Sequence, residues 1–148
     1  NNPDNVQTNN PPLDNNNPPS NSPLDSNVRF VNVELDESKG ELPLQRTEGI
    51  FYFTRNAHPP IMEQSFNFDT HNGWLIQLHD PKYMGQKLEV QKITRFSGNK
   101  YEITVRLKPG GDPKKPAYGF FQVGIYDMPT YSQFRVVTDL GQRLWPKY

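Results

Sequence analysis

The chain has no cysteine among its 148 residues, which excludes disulfides, thiolate metal sites and cysteine nucleophiles. It also lacks any apolar run near the roughly 18 residues that a membrane-spanning helix needs. No basic-then-apolar leader pattern is visible at Asn1. Asn is abundant, yet the Asn-x-Ser/Thr acceptor is absent, so nothing directs N-glycosylation. Neither sign of charge is in excess, with 16 Lys+Arg against 16 Asp+Glu. Without an Arg-rich cluster, nucleic acid is not an expected partner. Cofactor motifs are missing too. Gly110-Gly111 is not followed by the Lys-Ser/Thr of a phosphate loop, and no cofactor is implied.

What the chain does have is two unlike parts. Residues 1–27 contain ten Asn, six Pro, three Asp and three Ser. Their only aliphatics are Val6, Leu13 and Leu24, and the first aromatic is Phe30. Such a stretch buries too little apolar surface to offset the entropy of ordering its backbone. Its prolines favour extended conformations. Residues 1–27 are therefore expected to be a disordered tether, and residues 28–148 one all-β domain. A polar spacer of this kind suits a domain held off a membrane. That points to an extracytoplasmic, secreted or envelope location, with an export signal or a lipid-bearing residue upstream of Asn1.

The domain reads as short strands by its period-2 pattern. Val31, Val33 and Leu35 alternate with Asn32 and Glu34. Ile50 to Phe53 is short and aromatic, and Phe66 and Phe68 flank Asn67 as a brief extended piece. Trp74 to Leu78 follows a turn at His71-Asn72-Gly73. A hairpin spans 87–108. Its first arm slips register around Gln91-Lys92, as a bulge requires. Its return arm, Tyr101-Ile103-Val105-Leu107, alternates cleanly with Glu102, Thr104 and Arg106. Gly119 to Tyr126 is a nearly continuous apolar strand, and a last one begins at Phe134. About seven short strands with turn residues between them describe a small antiparallel β-sandwich or barrel.

Charge is unevenly placed along the chain. Residues 1–81 hold four Lys/Arg and eleven Asp/Glu, whereas 82–148 hold twelve and five. Pairing of strands from the two halves accounts for this, and a basic face toward an anionic partner is the functional alternative.

Catalytic parts are scarce. His58, His71 and His79 lack paired ligand spacing and read as polar surface. Ser132 has no nucleophile-elbow context. Aromatics on loops are the better binding candidates. Tyr83, Tyr118 and Tyr131 lie near Pro, Gly or Lys, and Lys114 and Lys115 sit in the Pro109–Pro116 loop. Tyrosine brings an apolar ring with a polar tip, a combination common at binding surfaces. Phe51, Phe53, Phe121 and Trp74 are expected in the core.

From Gly73 to Pro129 the order of features resembles the C-terminal domain of the protease-complex subunit PrcB family. The shared order is Trp74-Leu75-Ile76, then Gly85 leading to Leu88-Glu89-Val90-Gln91-Lys92-Ile93. The Tyr101–Leu107 strand, a Pro/Gly loop and an apolar strand before Asp127-Met128-Pro129 complete it. Met84-Gly85-Gln86 stands where that family has Gly-Gly-Tyr, and no site residue is carried over. The resemblance implies a non-enzymatic role at a bacterial envelope beside a protease. The expected function is a non-catalytic module that recognises a protein partner, a protease or another envelope protein. The alternatives are a carbohydrate or cell-wall polymer binder, and a proteinase inhibitor presenting the Pro109–Pro116 loop.

Overall fold

Alternating apolar residues build a nearly closed, barrel-like sheet in the computed structural model, which describes residues 26–147. Its strands are β1 (Val31–Val33), β2 (Gly49–Phe53), β3 (His71–Leu78) and β4 (Lys87–Ser97). They continue with β5 (Lys100–Lys108), β6 (Ala117–Gly124), β7 (Gln133–Thr138) and β8 (Arg143–Trp145). The only helical pieces among the described residues are three-residue 3-10 turns at Glu37–Lys39, Pro60–Met62 and Pro81–Tyr83. The sheet order is β2-β3-β6-β4-β5-β7-β8, with β1 also on β6. The all-β architecture expected from the sequence is thus observed. The expected tether lies outside the described residues except for Ser26 and Asn27, and both of these contact β4.

Two features depart from a simple antiparallel barrel. β5 and β7 pair in parallel over six positions, and β4 touches β6 in parallel at Lys87–Tyr118. A parallel pair needs a long crossover, and here the whole of β6 with its flanking loops supplies it between β5 and β7. The sheet is therefore mixed.

The β4–β6 contact exists because Gly119 has no side chain. A Cβ there would stand 2.0 Å from the Leu88 carbonyl oxygen. Beyond that point the two strands separate, and residues 26–33 enter between them. Val28 N–H donates to the Ile93 carbonyl at 2.8 Å, and Arg95 N–H to that of Ser26 at 3.0 Å. On the other edge, Val31, Asn32 and Val33 pair antiparallel with Gln122, Phe121 and Phe120. Between these contacts the Asn32 side chain acts as a peptide group toward β4. Its amide donates to the Val90 carbonyl at 2.9 Å and its oxygen accepts from Val90 N–H at 3.0 Å.

The inner core gathers Trp74, Ile76, Leu78, Leu88, Val90, Ile93, Ile103, Val105, Phe121, Val123 and Val136. Phe53, Ile61, Met62, Phe66, Phe68, Leu75 and Phe120 form a second cluster. β3 thus buries both faces. Residues 34–48 and 54–70 cover its outside, and Gln77, fully buried, holds part of that cover. It accepts from Gln45 N–H at 2.9 Å and donates to the Gln45 carbonyl at 2.7 Å.

This second cluster corrects two sequence expectations. Phe66 and Phe68 are not strand residues but turn residues packed under the cover. His71-Asn72-Gly73 is not a turn but the start of β3. The Gly73 position is filled by its neighbours, since a Cβ would lie 2.9 Å from Met62 Cε and 3.0 Å from Phe66. The bulge in β4 appears where expected, between Val90 and Lys92.

Two substitutions test this architecture in urea melts. Asn32→Ala should cost about 1–2 kcal/mol, because it strips two hydrogen bonds from Val90 while water reaches part of the vacated edge. A neutral result would mean that Asn32 does not hold the seam. In β5, Ile103 and Val105 are fully buried and Thr104 lies between them half-buried. Ile103→Ala should cost about 2–5 kcal/mol and Thr104→Ala less than about 1 kcal/mol. Comparable losses at both positions would contradict the facing of β5.

Candidate functional site

The loop end of the barrel brings together four of the five residues selected from sequence. Pro81–Tyr83 docks on the 109–116 loop through Gly85 N–H to the Lys115 carbonyl (3.1 Å) and Gly111 N–H to the Gly85 carbonyl (2.9 Å). Tyr83 packs half-buried against the inner core, with Lys82 Nζ 5.1 Å from its ring centre. Tyr118 packs against the second cluster, edge-on to Phe120. Burial pushes its phenol pKa up. It lines a groove of about 420 Å³ together with Glu34, Glu37, Lys87, Glu89 and Lys108.

Along that groove lysines pair with acids. Lys87 lies 3.5 Å from Glu34, Lys108 3.4 Å from Glu89, and Lys115 2.6 Å from Glu37. The Glu37 hydrogen bond raises the Lys115 pKa. Two of these pairs join the acidic and basic halves of the chain, as do Lys82 and Lys147 with Asp80. Lys114 is exposed and belongs to none of the ion pairs among the described residues. Of the two lysines selected from sequence, Lys115 is thus committed to a neighbouring acid and Lys114 is not.

Tyr131 is not with the others. It precedes β7, whose Gln133 pairs with Lys100, whereas the 109–116 loop follows Lys108. The nine residues of β5 separate the two ends by roughly 30 Å. At this far end Tyr131 is 75% exposed and Tyr126 is 95% exposed. Both border an open hollow of about 750 Å³, shared with Arg29, Arg95, Asn99 and Asp127.

Arg95 is anchored by its Nε–H, which donates to the Gly98 carbonyl at 2.6 Å. Neither Arg29 nor Arg95 has a carboxylate within ion-pair distance among the described residues. The Tyr101 hydroxyl donates to the Asp127 carbonyl at 3.4 Å, and burial raises its pKa. The hollow can therefore offer guanidinium donors and apolar rings together.

Sequence reading passed over Tyr126, Arg29 and Arg95. Tyr126 reads as the end of an apolar strand, but β6 stops at Gly124. Arg29 adjoins the tether and Arg95 lies in the bulged arm of the hairpin. Only the insertion of residues 26–33 beside β4 sets the two arginines together.

The histidines lie apart in function as in position. His58 stacks on Phe68 at 4.0 Å and donates from Nδ1 to the Thr54 carbonyl at 2.8 Å. Its Nε2 is 2.5 Å from Glu63 Oε1. His71 is bonded to Thr70 Oγ1 and His79 to the Gln77 amide. Among the described residues no three His, Cys, Asp or Glu side chains are grouped as a metal site would need, and no helix is long and apolar enough to cross a membrane. No family model, curated protein or solved structure matches this chain.

His58 carries a pH prediction. Burial pushes its pKa down, but the hydrogen bonds to Glu63 and to the Thr54 carbonyl, with the Glu63 charge, outweigh burial and raise it above the ordinary value. A raised folded pKa means that the contribution to stability is complete below the unfolded value of about 6.5 and is lost as pH rises through the folded value. The thermal midpoint should therefore fall across that window, and Glu63→Gln should flatten the fall. An equal slope in the variant would exclude this pair as its source.

Proposed function

We propose that this domain is a non-catalytic, extracytoplasmic binding module that recognises a protein partner through the hollow bordered by Tyr126 and Tyr131. The observation that carries the reading is the exposure of these two rings beside two arginines with no carboxylate partner among the described residues. Tyr and Arg dominate the residues that supply binding energy at protein interfaces. A tyrosine left almost wholly in water contributes little to folding, so its apolar area remains available for a partner. The guanidiniums favour an acidic segment on that partner, which they engage with paired N–H donors.

The Asn/Pro-rich composition of residues 1–27 supports a spacer that displays the domain away from an anchoring point, with an envelope protein or protease as partner. The first described residue of that segment, Ser26, itself borders the hollow.

The test is affinity capture from a bacterial envelope extract with the full chain, followed by measurement of binding to the retained protein. Tyr126→Ala combined with Tyr131→Ala should weaken that binding at least about tenfold, the effect of losing about 1.4 kcal/mol, with the melting transition still cooperative. Arg29→Gln with Arg95→Gln should reduce its salt dependence. Unchanged affinity in the double tyrosine variant would refute the assignment of this surface.

A further inference from the structure

Among the described residues, no hydrogen bonds close the barrel between its edge strands β2 and β8. There β2 pairs only with β3, and β8 only with β7. Their meeting point is sealed at one end by the Trp145 ring, which packs over Gly49. A Cβ on Gly49 would lie 3.3 Å from it. Beside this seal the seam opens as a cleft of about 380 Å³ walled by Ile50, Tyr52, Phe134 and Trp145, and Thr130, Gln133 and Ser132, whose buried hydroxyl lacks a partner among the described residues, also line it. Trp74 forms part of the lining, and its ring meets Phe134 edge-on at 5.2 Å.

The Trp74 indole carries an unmet demand. The residue is 1% exposed, and its Nε1–H has no acceptor among the described residues. A buried donor without a partner costs about 1–3 kcal/mol, and native structures rarely leave one without a reason. Indole N–H is a donor only, so the missing group is an acceptor. The rings of Tyr52, Phe121 and Phe134 pack around the Trp74 ring, so the acceptor should carry an apolar flank. An acetamide combines a carbonyl oxygen with a methyl group. Tyr52 and Trp145 offer ring faces on which the C–H face of a pyranose packs, and Gln133 and Thr130 offer polar groups for its hydroxyls.

We propose that this cleft is a subsite for an N-acetylated hexosamine unit of a glycan, with the acetamide carbonyl accepting from Trp74 Nε1–H. An added peptide strand suits the cleft less well, because the Trp145–Gly49 seal interrupts the slot that a strand would run through. Water does not reach the indole N–H as the cleft stands. Entry therefore requires a ring at the mouth to turn aside. Tyr52, 52% exposed and 5.9 Å from the Trp74 ring, is the side chain placed to do so. The site is separate from the Tyr126/Tyr131 hollow, so it stands or falls independently of the protein-partner reading.

The experiment titrates the N-acetylglucosamine trimer into the full chain and follows the Trp74 indole ¹H–¹⁵N resonance, with cellotriose, which lacks acetamides, as the comparison. The trimer should shift this resonance saturably, with cellotriose at least about tenfold weaker. Trp74→Phe keeps a ring and removes the donor, and should weaken trimer binding about tenfold, read from the Trp145 indole. Tyr126→Ala with Tyr131→Ala should leave binding intact. If Trp74→Phe fails to fold, the wild-type Trp74 indole shift and its contrast with cellotriose decide the question. A Trp74 resonance unmoved by about 10 mM trimer, an equal response to cellotriose, or a response only to an extended peptide would each overturn the proposal.

Discussion

The structure depends on how β4 and β6 are joined. They touch at one point, where Gly119 admits the Leu88 carbonyl, and then diverge. Left alone, the divergence would expose two rows of unpaired backbone groups in the middle of the sheet, a costly arrangement in a partly buried setting. Residues 26–33 resolve it by pairing with β4 through Ser26 and Val28 and with β6 through Val31 to Val33. At the intermediate position no backbone group reaches β4, and the Asn32 amide substitutes for one. The β4 edge is therefore met by backbone at Ser26 and Val28 and by a side chain at Asn32, and the continuity of the barrel rests on a short segment near the start of the domain.

A second constraint follows from the width of the sheet's burial. Alternation along β3 and β6 turns Leu75 and Phe120 to the face opposite Trp74, Ile76 and Phe121, and a separate cover buries them there. The cover is made of irregular segments, whose backbone and side-chain polar groups must find partners. Gln77 supplies several of these from within β3, which explains a fully buried amide in an otherwise apolar strand. The same requirement places His58 between Phe68, the Thr54 carbonyl and Glu63. Its chemistry is accounted for by packing this cover.

These constraints also separate the surfaces. The loop end carries most of the lysines, but Glu34, Glu37 and Glu89 neutralise them locally. The far end carries fewer charges and leaves two arginines without such partners among the described residues. Charge balance along the chain thus hides a difference in availability. The end richer in basic residues pairs most of them with acids, and the sparser end does not.

By itself the sequence determined the elements whose cause is local. Alternation in Tyr101 to Leu107, the slipped register at Gln91-Lys92 and the 109–116 loop all follow from side-chain period and turn chemistry, and all are observed. The tertiary structure alone decided what depends on residues far apart in the chain. Phe66 and Phe68 mimic a strand because a second core needs the same aromatic residues, and His71 to Gly73 mimic a turn because close packing against Met62 and Phe66 calls for glycine. Tyr131 was separated from Tyr118 by the length of β5, and Arg29 was joined to Arg95 by the insertion beside β4. Periodicity reports which way a side chain faces within its own strand. Which strand lies next to it, and so which side chains share a surface, is set by long-range pairing that no local pattern encodes.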